Sequence, residues 1–151
     1  MKAFFDTSVL VPVFYEDHQH HEASLDLFLR FRRQEACCGA HSLAEVYSTL
    51  TRMPGKHRVT PDQAMLFVEN ILERLTVVAL TSEEYASGLR SWALTGVAGG
   101  TVYDALLASC ALKAKAERIY SWNVRHYEQL GASVQGRLQE PGGPRKHSVA
   151  E

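Results

Sequence analysis

Four short apolar runs, KAFF, EACCGA, TVVAL and RIYSW, are spaced along this chain with helical patterns between them, and this alternation restricts the fold more than any other feature. Short strands that read as continuously apolar are buried on both faces, which is the habit of parallel sheets, and parallel neighbours need the crossovers that helices supply. The pattern predicts an α/β domain in three layers, a central short parallel sheet flanked by helices. The 151 residues, 46% hydrophobic and 22% charged, suit a single core of ordinary soluble composition.

SVLVPVFY, after the first run, reads as a short helix with Pro12 near its first turn, where a missing N–H does least damage. Residues 22–33 set Leu25, Phe28, Leu29 and the stem of Arg32 on one face at 3.6 spacing. SLAEVYSTLTRM turns Leu43, Val46, Tyr47 and Leu50 inward and stops at Pro54 and Gly55. TPDQAMLFVENILERL starts on a Thr60 cap with proline at the first helical position, and carries Ala64, Phe67, Val68, Ile71, Leu72 and Leu75 inward. SEEYASGLRSWALTG is closed by Gly96 and sets Trp92 beside Leu89 on an apolar face. VYDALLASCALKAKA is the last long helix, and residues 132–134 are expected to add an edge strand. From residue 136 the chain turns to Gly, Pro and charge without period, so the domain is expected over 1–135 and a mobile tail over 136–151.

A formal net charge of -1 lacks the strongly basic balance common in nucleic-acid binders. Local basic clusters at 30–33, 52–58 and 113–118, and Arg125 with His126, read first as solvated faces. Cys37, Cys38 and Cys110 have neither disulfide nor zinc spacing and read as small buried hydrophobes in a reducing compartment. His18, His20 and His21 read as solvated or capping groups, since a zinc site would need further ligands that the sequence does not place. Without a leader pattern or a run of eighteen apolar residues, the chain is expected in the cytoplasm and not in a membrane.

In an open parallel sheet, ligands bind outside the carboxyl ends of the strands. Asp6 follows the first strand, Glu45 falls in the first turn after the second, Asp104 opens the last long helix, and Ser121 and Asn123 follow the fourth strand. Each acid has a structural explanation of its own. Ser42 with Glu45 and Thr101 with Asp104 fit the capping box, as Thr81 with Glu84 does, and Asp6 can cap the helix that starts at Thr7 or Ser8. Their convergence from three distant parts of the chain favours function. Carboxylates gathered that closely repel, and a hard divalent cation, Mg²⁺ or Mn²⁺, is the simplest relief.

FFDTSVL, SLAEVYSTLTR, TVYDALLASCAL and RIYSWNVRHYEQLG together resemble the successive blocks of the PIN-domain ribonucleases, most closely the VapC-type toxins of toxin-antitoxin pairs, from residue 1 to about 132. The resemblance implies that Asp6 and Asp104 hold a catalytic Mg²⁺, that Glu45 is the third acid, and that Thr7 or Ser8 orients the site, with Ser121 in support. It implies endonucleolytic cleavage of RNA leaving a 5′-phosphate, with a water activated beside Glu45, and a substrate of single-stranded or looped RNA. It further implies a homodimer and an antitoxin partner that inserts a basic residue into the acidic site. Arg125 and His126, with Lys113 and Lys115, are candidates to neutralise flanking phosphates.

Where many relatives carry a fourth Asp, this chain has Asn123, whose neutral amide lowers the charge of the site and weakens any second metal position. That leaves open a catalytically weak PIN-like module that binds RNA or protein. A phosphoryl-transfer enzyme with Asp6 as nucleophile would want a second Asp two residues on, where Ser8 stands.

Overall fold

The computed structural model describes residues 1–142. Strand β1 (Ala3–Phe5) is central; β2 (Ala36–Gly39) and β3 (Thr76–Val78) lie to one side, and β4 (Arg118–Tyr120) and β5 (Leu138–Gln139) to the other. The order among the described residues is β3-β2-β1-β4-β5, and every pairing is parallel. The chain builds outward from β1 in one direction and then in the other, so the gap between the carboxyl ends of β1 and β4 is the topological switch point of the sheet.

The strand period of two divides the core. Phe4, Cys37 and Ile119 face one layer, while Phe5, Cys38 and Tyr120 face the other. Helices α1 (Thr7–Val13), α2 (His21–Arg30), α3 (Ala40–Thr51) and α4 (Pro61–Arg74) bring Leu10, Phe28, Val46 and Ile71 onto the second face. Helix α6 (Thr101–Lys113) covers the first with Leu107, Ala108 and Cys110, and α5 (Ser82–Leu94) packs on α6 from outside. Phe4 and Phe5 are both fully buried, each worth about 2–3 kcal/mol in transfer from water. All three cysteines are buried and free, and burial pushes their thiols up to about 12 at Cys37 and Cys38 and about 11 at Cys110.

Several local expectations are corrected. Residues 132–134 lie in a short helix, α7 (Ala132–Gln135), and the added edge strand is β5. Leu138 and Gln139 therefore extend the sheet beyond residue 135, while residues 143–151 of the expected tail fall outside the described residues. Pro12 sits in the last turn of α1, which ends at Val13, so its missing N–H costs only a terminal bond. Helix α2 ends at Arg30 because Phe31 turns extended; Leu29 is exposed, and Arg32 lies beyond the helix with its side chain in solvent. Tyr47 is also exposed. Trp92 is half-buried beside an exposed Leu89, because α5 is an outer helix that buries none of its residues.

Candidate active site at the switch point

Asp6 leaves β1 and occupies the N-cap position of α1, yet its side chain makes no cap hydrogen bond. Three hydroxyls hold the carboxylate. Tyr127 Oη–H donates to Oδ1 at 2.8 Å, and Ser8 and Ser121 each donate to Oδ2 at 2.7 Å. Asp6 is buried, and charge-assisted bonds of this kind keep a buried carboxylate oriented. The serines are themselves fixed, Ser8 Oγ accepting the Trp122 backbone N–H at 2.9 Å and Ser121 Oγ accepting that of Asn123 at 2.9 Å.

Glu45 and Asp104 are also free of capping. Ser42 lies inside α3, whose N-cap is Gly39, and Thr101 is the first residue of α6 behind Gly100; neither cap makes a side-chain bond. The expected boxes fail because each helix begins before its hydroxyl residue can flank it. Of the three candidate boxes, only that of Thr81 and Glu84 is made. Thr7 Oγ1 instead donates to Glu45 Oε1 at 2.9 Å and lies 2.9 Å from Ser42 Oγ, tying α1 to α3. His41 Nε2 stands 3.7 Å from Glu45 and stacks on Tyr103.

The three acids line one open cleft of about 1070 Å³, together with Thr7, Ser8, Asn123, Arg125 and His126. Ser121 supports from beneath, fully buried. Asn123 is exposed on the rim. Lys113 is drawn away to Glu84 and the Ala79 carbonyl, and neither it nor Lys115 lines the cleft, so the expectation that they meet flanking phosphates is not met.

Charge is crowded in this cleft. Burial, reinforced by the negative charge of Asp6 and then of Glu45, raises the Asp104 carboxyl to about 6, against a partial pull downward from His126, whose Nδ1 is 3.8 Å away. Burial, and then the charge on Asp6, push the Tyr127 phenol well above its usual range, so it remains a hydrogen-bond donor at any working pH. Among the described residues no group of three or more His, Cys, Asp or Glu side chains is placed to hold a metal ion together. Mg²⁺ does not need such a group, since it is commonly held by one or two carboxylates and several waters. The all-oxygen donor set, with the negative charge of Asp6 beside the half-buried Asp104, fits a hard divalent cation.

Nothing in the sequence marks Tyr127, which stands in a short 3₁₀ turn, Val124–Tyr127, without period. His18 and His20, expected as solvated or capping groups, line the cleft, and His41 stands beside Glu45 with no local pattern to mark it.

A scan against protein families matches residues 3–128 to the PIN domain. The chain belongs to the PIN-domain family. This PIN domain is 39% identical over 133 residues to Ribonuclease VapC27 of Mycobacterium tuberculosis, covering 85% of this chain and 92% of that one. Among solved structures it is similar to Mycobacterium tuberculosis VapC20, described as a sarcin-ricin loop cleaving toxin, with a TM-score of 0.67 at 16% identity, covering 83% of this chain and 92% of that one. VapBC-1 from nontypeable Haemophilus influenzae matches with a TM-score of 0.62 at 14% identity, over 93% of this chain and 98% of that one. The structural likeness establishes the shared fold, and the sequence identity makes this PIN domain a homologue of the VapC ribonucleases.

Proposed function

We propose that the chain is a Mg²⁺-dependent endoribonuclease, the toxin of a VapBC-type pair, and that it hydrolyses RNA phosphodiesters in the acidic cleft. One observation carries this reading. Asp6, Glu45 and Asp104 reach one cleft from three distant parts of the chain, and none of them is used to cap a helix.

Asp6 and Asp104 would hold Mg²⁺, with Mn²⁺ as a substitute, and the bound ion would supply charge stabilisation at the phosphate and a more acidic water. Glu45, positioned by Thr7, takes the proton of the attacking water. Tyr127, Ser8 and Ser121 keep Asp6 in one rotamer. Arg125 and His126, both exposed at the rim, meet the phosphates on either side of the cut. Asn123 contributes a neutral amide, which favours a single ion over two.

The cleft's negative charge suits a basic side chain from an antitoxin, and structural neighbours solved as VapBC assemblies support such a partner. A homodimer and a cytoplasmic location belong to the same reading, and no described helix is long and apolar enough to cross a membrane.

The test is cleavage of bulk RNA by the full chain with Mg²⁺, with a chelator, and by Asp6→Asn. Cleavage that needs Mg²⁺ and disappears in the variant is expected. Metal-independent cleavage, or a fully active variant, contradicts the proposal.

A further inference from the structure

His20 and Trp122 are the closest pair of aromatic rings among the described residues, with centroids 3.6 Å apart and planes within 7°. Both rings line the cleft that holds Asp6 and Asp104. The indole is fixed at two points, its Nε1–H donating to Ser24 Oγ at 2.9 Å and its backbone N–H to Ser8 Oγ at 2.9 Å. The histidine is held through its own backbone, whose N–H donates to His18 Nδ1 at 3.0 Å, and through His21, whose Nδ1 bonds the Pro12 carbonyl at 2.7 Å. Ser8 joins this pair to the acids. The hydroxyl that accepts the Trp122 N–H donates in turn to Asp6 Oδ2.

Neither ring is needed to hold a cation or to activate a water. Yet each is half-buried and lies flat against the other in the lining of the acidic cleft. Rigid π surfaces in such a place accept unstacked bases of single strands, where stacking supplies affinity with little regard to base identity. Gln19 and Asn123, exposed on the same cleft, carry amide groups able to hydrogen-bond a base edge.

Building on the ribonuclease reading, we propose that the His20–Trp122 stack is a nucleobase subsite, which holds one unpaired base of single-stranded RNA beside the phosphate to be cut. The subsite would set where along a strand the cleft engages, through one stacked base.

The test uses the full chain carrying Trp92→Phe, so that Trp122 is the only indole, and Asp104→Asn, so that RNA stays intact. A short single-stranded RNA is titrated while binding is followed by anisotropy of a labelled copy and by Trp122 emission. Binding should quench Trp122, and an abasic nucleotide at one position should abolish the quench. His20→Ala should weaken binding about tenfold, and His20→Phe should restore it. Binding by anisotropy with unchanged emission, or equal affinity in His20→Ala, overturns the subsite and leaves the ribonuclease reading standing. No binding at all overturns the subsite and, where the chain with Asp104 intact also fails to cleave RNA with Mg²⁺, the ribonuclease reading with it.

Discussion

At the residue scale, the decisive fact is that a carboxylate at a helix start need not cap it. Asp104 carries the clearest consequence. Its carboxyl is raised to about 6 in the folded chain, mainly by burial, against an unfolded value near 3.8. The folded state therefore binds a proton more tightly than the unfolded one between those values, and metal-free stability falls as pH rises through that window. At pH 7 the ionised side chain is a liability, and Asp104→Asn should raise the metal-free Tm, by an amount equivalent to about 1–2 kcal/mol after allowance for its partial exposure. Mg²⁺ should raise the Tm of the parent chain and leave that of Asp104→Asn nearly unchanged. The same protonation predicts that the Mg²⁺ concentration giving half-maximal cleavage climbs about tenfold per pH unit below 6, read from initial rates across a pH series. Tyr127→Phe removes one of the three hydroxyls on Asp6, and should cost about 1–2 kcal/mol in urea unfolding while lowering cleavage several-fold. The acids were legible because strand ends in a parallel sheet single out a few positions. Tyr127 was not, because its partner lies 121 residues away and nothing local marks the contact.

At the element scale, the first six helices and the first four strands follow from the sequence pattern; apart from α7, expected as a strand, and the unexpected β5, the errors cluster at element ends. The C-terminal end of α2 shows why. Arg74, from α4, donates through Nη2 toward the carbonyls of Leu29 at 3.3 Å, Phe31 at 3.4 Å and Phe28 at 3.5 Å, and its guanidinium lies over the Phe28 ring. Carbonyls left over at the end of α2 are thus met by a residue from another helix, which no window on α2 can show. Arg74→Ala should lower stability by about 1–2 kcal/mol, through lost hydrogen bonds and lost packing, measured as a shift of the denaturation midpoint without change in slope. Strand β5 escaped notice because two residues carry no period, and its place beside β4 is fixed by backbone pairing to Ile119 and Tyr120.

At the scale of the whole molecule, strand order does what no single motif can. By placing β2 and β3 on one side of β1 and β4 and β5 on the other, all parallel, the chain opens a crevice beside β1 and brings Asp6 and Ser121 together within it. Sequence patterning announced a parallel sheet, but its order followed only from the fold, since apolar strands of three or four residues are nearly interchangeable in composition. The resulting excess of carboxylates is the basis for both proposed partners, a divalent cation and a basic antitoxin side chain. The two should compete, so an antitoxin bound to the full chain is expected to suppress cleavage and to lower its apparent affinity for the metal ion.

The most direct test of the central claim, that these carboxylates form a cation site, is a Mn²⁺ titration of the full chain followed by electron paramagnetic resonance at pH 7.5. One ion should bind per chain, with affinity falling at least about tenfold in Asp6→Asn and in Asp104→Asn. Unchanged Mn²⁺ affinity in both variants would contradict it.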